Sequence, residues 1–413
     1  MNAIKNNTDK IAALCGIIWF VLTIDACFTW FVPDFYRNFI GTIFVLFSTI
    51  LLSGGNGISL SKSRKSIFIS VCILMLFMVF RFSVYRILIY LPLLCLIIWR
   101  RSALQKMYSY FRLFVLFYAI VSIFVEGLVL TKLWALLPTL AVFPPQNNVQ
   151  EILGLNNYFY GFFSIPSVDK SLTFYRACGP LMEGGHFVFF LGFVYFVEMA
   201  IYGKRNIWLL ICSILTLSPN CLIFLLITEA YCCFNQKKYL RSVKGFVGIP
   251  IGIIVLFFIS PQFVKDQVYQ IVLERTLENS LENMESDGVM ALLDGRAGGN
   301  YSLIMYQQFL ESNIFYKIFG YGESKDITGH MSDYRFLLMY CGYLGTLLIV
   351  WCTYCFSYIK NNPLFRLCVF TFAMVLFVQR SWMFMQVYVW IMMLLVTIKA
   401  QSTENNHARI TEK

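Results

Sequence analysis

Charged side chains are scarce in this chain. Asp, Glu, Lys and Arg make up 13% of its 413 residues, whereas apolar residues make up 59%. Soluble domains carry about 25% charged residues and roughly 45–50% apolar residues. The shortage of charge excludes an ordinary soluble domain, and the sequence therefore predicts an all-α integral membrane protein.

Motifs that bind nucleotides or metals are also missing. The sequence contains no GxxxxGK[ST] phosphate loop, no HExxH metal-binding pattern and no GxSxG nucleophile elbow. Cys352 and Cys355 form a CxxC pair in an apolar run, but structural zinc needs four ligands and no second pair exists. We therefore expect no cofactor and no metal, and an enzyme of this kind would need a substrate that is already activated.

The apolar residues form runs long enough for membrane helices, which need about 17–25 residues, together with shorter runs that pair into hairpins. The sequence predicts one polytopic membrane domain over residues 1–413 with about twelve transmembrane helices. Three hairpins are short enough for their tips, at 81–86, 218–220 and 379–381, to stop inside the bilayer. The predicted spans are 11–31, 39–58, 67–80, 87–99, 109–130, 186–203, 206–217, 221–234, 245–260, 336–358, 364–379 and 382–398.

Basic residues predict the orientation of these spans. If the N-terminus is cytoplasmic, more than half of the 33 Lys and Arg residues fall in short cytoplasmic segments. Both termini are therefore expected in the cytoplasm. The net charge of +11 reflects this topology, so it does not predict binding to nucleic acid.

Two long segments fall on the predicted outer side, at about 131–185 and 261–335. Within the second segment, apolar residues recur at helical spacing over 268–284. Asn300–Glu311 is predicted to form another short amphipathic helix, and glycines mark turns around it.

Six arginines on the outer side do not follow the positive-inside pattern. Guanidinium groups bind phosphate oxygens through two parallel N–H bonds, and an arginine at membrane depth is costly unless it is paired. As a set, these arginines predict an anionic ligand at the outer leaflet. For any single arginine, the alternative is a salt bridge within the protein or a side chain that reaches the interface. The six are Arg81, Arg86, Arg176, Arg296, Arg335 and Arg380.

Three residues on the outer side are candidates for a general base. Glu183 stands seven residues after Arg176 in a glycine-rich stretch, and a carboxylate there can accept a proton if its environment raises its pKa. The alternative for Glu183 is an ion pair with Arg176. His330 and Asp333, the other two candidates, lie just before a predicted span.

RACGPLMEGGHF (176–187) resembles a segment found in many bacterial O-antigen polymerases (Wzy-type) and O-antigen ligases. In those proteins the pattern is R-x-x-G, then three residues, then Glu-Pro. Arg176, Gly179 and Glu183 match this pattern, but Gly184 replaces the proline. The stretches GRAGGNYSLIMYQQFLESNIFYKIFGYGES (295–324) and HMSDYRFLLMYCGYLG (330–345) resemble the second outer loop of the same group. The predicted topology also resembles this group, so the resemblance implies a GT-C-like polymerase/ligase architecture.

The resemblance implies a glycosyltransferase at the periplasmic face of the bacterial inner membrane. Its substrates would be undecaprenyl-diphosphate-linked oligosaccharides, whose diphosphate the outer arginines would hold as it leaves. A base would deprotonate a hydroxyl of the acceptor sugar, which would attack the anomeric carbon with inversion. The lipid bilayer would be a further partner, and the sequence leaves open whether a chain-length regulator binds.

Two other functions stay open from the sequence. O-antigen ligases share the topology and carry a histidine near the end of the second outer loop, where His330 lies, but Met331 replaces the Asn that often follows it. The R-x-x-G…Glu pattern favours the polymerase. A transporter of lipid-linked oligosaccharides would instead spread its basic residues along a central cavity.

Overall fold

The structure, a computed structural model, is mostly helical and forms two compact units. Unit 1 comprises residues 1–113 and 296–413, and unit 2 comprises residues 114–295. The described residues are 2–24, 26–54, 60, 62–145, 154–168, 177–181, 184–218, 220–236, 248, 251, 258, 262, 265–266, 300–324, 333–359 and 362–411.

Long helices and one small sheet make up the described part of the chain. The helices are α1 (Asn2–Thr23), α2 (Asp34–Ser53), α3 (Lys62–Arg81), α4 (Arg86–Ile98), α5 (Arg101–Leu130), α6 (Gly184–Val197), α7 (Ile207–Leu215), α8 (Asn220–Gln236), α9 (Asn300–Glu311), α10 (Ile314–Phe319), α11 (Tyr334–Phe356), α12 (Pro363–Arg380) and α13 (Val387–Thr411). The strands are β1 (Ala141–Phe143), β2 (Asn156–Phe159) and β3 (Ser164–Ser167).

Five of the helical segments are long and apolar enough to cross a membrane by length and composition, among the residues that the structure describes. A membrane span is helical because its backbone must satisfy its own hydrogen bonds in lipid, and it needs about 20 apolar residues to cross a hydrocarbon core about 30 Å thick. These segments are Asp34–Ser53, Arg101–Leu130, Gly184–Tyr202, Tyr334–Phe356 and Pro363–Met385.

Glycines let the helices of unit 1 pack closely. A Cβ atom on Gly41 of α2 would lie 2.3 Å from the Trp19 ring of α1, and one on Gly345 of α11 would lie 2.5 Å from the Phe77 ring of α3. Small residues allow membrane helices to approach in this way, because packing rather than the hydrophobic effect drives their association. The resulting contacts join α1 to α2 and α3 to α11.

Polar residues fix the starts of several helices. The side chains of Asn206, Asn313 and Asn362 each accept a hydrogen bond from a backbone N–H in the first turn of α7, α10 and α12. Pro363 follows Asn362 as the first helical residue, where proline costs no intrahelical hydrogen bond. These caps explain why apolar runs of similar composition begin helices at defined residues.

Unit 2 contains an antiparallel sheet of order β1–β2–β3 beside the C-terminal half of α5. Ala141 pairs with Phe159, and Phe159 pairs in turn with Ser164. One face of the sheet region covers a buried cluster that includes Val125 and Val129 of α5, Trp134 and Ile165. This sheet is not predicted from the sequence.

The described helices agree with most of the predicted spans. Each of the eleven predicted spans other than 245–260 contains a helix among the described residues, and the helix predicted at Asn300–Glu311 is confirmed with those bounds. The turn between α3 and α4 confirms the hairpin tip predicted at 81–86, but the tip predicted at 379–381 continues as a 3-10 helix from Ser381 to Met385. The segment 268–284 and nearly all of 245–260 lie outside the described residues.

Candidate active site

One end of unit 1 brings together four of the six predicted arginines. At this end α3 stops, α4 and α11 begin and α12 stops, and we call it the arginine end. It contains Arg81, Arg86, Arg335 and Arg380, together with Asp333 and the Gly320–Tyr321–Gly322 turn that follows α10.

The Gly320–Gly322 turn packs backbone to backbone against an interruption in α11. Gly342 lies inside α11 with φ 69° and ψ −178°, and Gly320 has φ 78°. A Cβ on Gly320 would lie 2.3 Å from the Tyr340 carbonyl oxygen, and a Cβ on Gly342 would lie 2.3 Å from that of Ile318. The backbone N–H of Tyr321 donates to the Met339 carbonyl at 2.7 Å, so the turn supplies a partner where α11 is interrupted.

Arg81 fastens this turn to the end of α3. Its Nε donates to the Phe319 carbonyl at 3.0 Å, and its Nη2 donates to the Gly320 carbonyl at 2.5 Å. A Cβ on Gly322 would lie 2.9 Å from Arg81 Cζ, so glycine leaves room for the guanidinium. These contacts give Arg81 a structural role.

Arg86 retains hydrogen-bonding capacity. Its guanidinium lies near the Tyr340 hydroxyl, over the Phe82 ring at 5.2 Å, and 3.8 Å from the half-exposed Glu323 carboxylate. Its Nε is buried and has no hydrogen-bond partner among the described residues. An unsatisfied buried donor costs about 1–3 kcal/mol, so a ligand that accepts a hydrogen bond here would be favoured.

Asp333 and Arg335 form a buried ion pair at the start of α11. Arg335 Nε and Nη2 donate to Asp333 Oδ2 at 2.9 and 2.7 Å, while Asp333 Oδ1 accepts from the Arg335 backbone N–H at 3.0 Å. Both side chains are less than 5% exposed. The Arg335 guanidinium also lies 5.8 Å from the centre of the Tyr306 ring. Both carboxylate oxygens of Asp333 are thus engaged in capping α11 and holding Arg335.

Arg380 joins this group through its neighbour in sequence. The Ser381 hydroxyl donates to the Asp333 backbone carbonyl, which connects the C-terminal end of α12 to the start of α11. Arg380 is the last residue of α12 and is half-buried. The end of α12, with Arg380, therefore lies beside the start of α11, with Asp333 and Arg335, although 45 or more residues separate them in the sequence.

Tyr306 is a residue of this end that sequence reasoning missed. It comes from α9, and burial raises the pKa of its phenol, although the positive charge of Arg335 acts in the opposite direction. The hydroxyl therefore stays protonated at neutral pH. An amphipathic pattern marks α9 as a helix but gives no sign that one of its tyrosines meets an arginine from the next segment.

Ala177, which follows Arg176 in the R-x-x-G pattern, lies in unit 2 against the turn between α7 and α8. The Ala177 backbone N–H donates to the Leu215 carbonyl at 3.0 Å. A Cβ on Gly184 would lie 2.8 Å from the Thr216 carbonyl oxygen and 2.9 Å from that of Ala177. This crowding gives a physical reason why Gly184 stands where the resembling families carry proline.

Asn220 follows the same turn as the first residue of α8, and the sequence marks it only as part of a hairpin tip. Its residue is 3% exposed, and its Oδ1 has no hydrogen-bond partner among the described residues. A buried amide oxygen of this kind is an acceptor available to a hydroxyl or amine of a ligand.

Four predicted site residues lie outside the described residues: Arg176, Glu183, Arg296 and His330. Among the residues that are described, no group of three or more His, Cys, Asp or Glu side chains is arranged to hold a metal ion. The chain matches no protein-family model and no curated protein.

Proposed function

We propose that the chain is a membrane glycosyltransferase of the O-antigen polymerase kind. It would span the bacterial inner membrane about twelve times, with both termini in the cytoplasm and the arginine end at the periplasmic face. The observation that carries the proposal is Arg86, whose buried Nε–H has no hydrogen-bond partner among the described residues. It lies at the end of unit 1 that also holds Arg81, Arg335 and Arg380. The resemblance of segments 176–187, 295–324 and 330–345 to the polymerase group supports the same function.

The proposed substrate is an oligosaccharide linked to undecaprenyl diphosphate. Such a donor is already activated, which agrees with the missing nucleotide motifs. In the reaction, a hydroxyl oxygen of the acceptor sugar attacks the anomeric carbon, and the bond from that carbon to the phosphate oxygen breaks. The electron pair leaves with the lipid diphosphate, and the hydroxyl proton passes to the base. Negative charge grows on the leaving group, so arginines placed there stabilise the transition state more than the ground state.

The described contacts divide the proposed roles among the predicted residues. Arg86 would bind the diphosphate, together with Arg176, Arg296 and Arg380, to which the resemblance gives the same role. Arg81 and Arg335 would act indirectly, because their donors already hold the Gly320 turn and Asp333. Glu183 would be the base, with His330 as the second candidate. Asp333 would position Arg335 rather than accept a proton, since both of its oxygens are engaged.

A deletion strain tests this function. Lipopolysaccharide from the strain should carry a single repeat unit on its core, and the plasmid-borne gene should restore the long-chain ladder. Bare core with accumulated lipid-linked polymer would instead identify a ligase. An unchanged ladder would overturn the proposal. Transport, or a role in the synthesis of another polysaccharide, would then remain as functions of the chain.

A further inference from the structure

The hairpin formed by β2 and β3 reaches far along α5. Its tip, Tyr160–Phe163, places the Phe162 ring 6.1 Å from the Phe117 ring, edge to face. Phe117 lies thirteen residues before the last residue of α5, Leu130. At 1.5 Å per residue, the hairpin tip contacts α5 about 20 Å below the end of the helix.

The length of α5 shows how deep in the bilayer the hairpin tip lies. The helix has 30 residues, so it is about 45 Å long, whereas the hydrocarbon core of a bilayer is about 30 Å thick. If α5 crosses the bilayer, at most about 15 Å of it projects past the hydrocarbon at the Leu130 end. The level of Phe117 is then at least about 5 Å inside the hydrocarbon, and tilting the helix only increases this depth.

The chemistry of the tip suits acyl chains. Residues 154–168 contain no charged side chain. Phe162 is 64% exposed and Leu140 is 72% exposed, and Leu140 lies beside the tip because a Cβ on Gly161 would be 3.4 Å from its Cδ1. Phe117 and Phe124 of α5 are also exposed, so the tip extends an apolar surface that the helix already presents.

The hairpin is held in this position from its other side. Ile165 of β3 is fully buried in the cluster with Val125 and Val129 of α5. Across the tip, the Tyr160 N–H donates to the Phe163 carbonyl at 3.0 Å. Beside the tip, the Leu140 N–H donates to the Phe159 carbonyl of β2 at 2.9 Å. Pairing of these backbone groups lowers the cost of bringing the tip into hydrocarbon.

We propose that the β2–β3 hairpin dips into the bilayer, with Phe162 and Leu140 among the acyl chains of the leaflet at the Leu130 end of α5. The hairpin thereby anchors the sheet of β1, β2 and β3 to that leaflet. This inference requires that α5 spans the membrane, and it does not depend on the proposed glycosyl transfer.

Spin labels on the full-length protein in liposomes test the depth. Phe162→Cys and Val168→Cys would each carry a nitroxide, in a background where the partly exposed Cys72 and Cys233 are replaced by serine. Val168 is the matched control because it is also exposed and apolar, at 56%, but follows β3 at the opposite end from the tip. At position 162 the label should collide more with oxygen than with a water-soluble nickel chelate, and at position 168 the preference should shift toward the chelate.

Two results would overturn the proposal. Equal access of the nickel chelate to both labels would place the tip in water, and protection of position 162 from both reagents would mean that protein covers it. Phe162→Trp and Val168→Trp provide a conservative second pair if labelling disturbs the fold. Brominated acyl chains should then quench the added fluorescence only for the variant at 162, and equal quenching of both variants would count against the dip.

Discussion

At the scale of single residues, the arginines of the arginine end differ in whether their N–H groups are already hydrogen-bonded within the protein. Arg81 donates to backbone carbonyls and Arg335 donates to a carboxylate, whereas Arg86 has a buried Nε–H without a partner among the described residues. The sequence marks all of them equally, because positive charge on the outer side is the same signal in each case. Contacts such as that of Arg81 with Gly320, 239 residues away, cannot be predicted from spacing.

Replacing Arg86 tests its assignment to the diphosphate. Arg86→Ala should lower the rate of polymer formation about tenfold to a hundredfold, because a hydrogen bond to a charged group contributes about 1.5–3 kcal/mol. Initial rates at varied donor concentration would measure the effect. Glu323→Gln is the control, since this exposed carboxylate stands 3.8 Å away and its removal should change the rate by less than about fivefold. Equal rates for Arg86→Ala and the wild type would show that Arg86 does not bind the diphosphate.

Replacing Asp333 separates a structural carboxylate from a catalytic one. Asp333→Asn should lower the free energy of unfolding by about 3 kcal/mol, because it leaves the Arg335 charge buried without its counter-ion. Thermal unfolding in detergent would show this as a lower melting temperature. The double variant Asp333→Asn/Arg335→Met should recover part of the loss, since it removes the uncompensated charge. A melting temperature that stays at the wild-type value in Asp333→Asn would contradict the structural role.

At the scale of elements, the interruption of α11 depends on two glycines with left-handed backbones. Gly320→Ala and Gly342→Ala should each destabilise the protein by about 3 kcal/mol, from the cost of positive φ plus a clash with backbone atoms. Gly127→Ala is the control, because that helical glycine has no neighbour within 4 Å of an added Cβ and alanine favours helix. Thermal unfolding of the three variants would distinguish them, and similar melting temperatures would argue against the backbone packing.

The start of α6 gives a second prediction at this scale. Proline is normally tolerated at the first position of a helix, and Gly184 occupies that position. Gly184→Pro should nevertheless destabilise the fold and abolish activity, since its Cβ would approach two backbone carbonyl oxygens within 3 Å. Full activity of Gly184→Pro, measured by the polysaccharide ladder, would show that the segment can shift to make room for proline.

Sequence reasoning succeeded with elements whose signal is local. Apolar runs mark helices such as α11 and α12, and helical periodicity marks α9 with the bounds that the structure shows. The sheet was missed because its strands are only three or four residues long. The break in α11 was missed because Gly342 sits in a continuous apolar run, where a glycine in itself does not indicate an interruption.

At the scale of the whole molecule, composition alone predicts a helical membrane protein, and the described helices agree. The reaction rests on finer information. The predicted topology and the loose motifs suggest the class of glycosyl donor. The contacts at the arginine end indicate that the guanidinium of Arg86 is available to bind it. Two candidate bases and two of the arginines lie outside the described residues, so their roles stay predictions.

The most direct test of the central claim is reconstitution. The purified chain in liposomes, supplied with radiolabelled repeat units linked to undecaprenyl diphosphate and with no nucleotide, should convert them into products two or more repeat units long. Free undecaprenyl diphosphate should appear in step with each bond formed. Donor that stays at one repeat unit, with protein that is folded by thermal unfolding, would contradict the claim that this chain itself carries out glycosyl transfer.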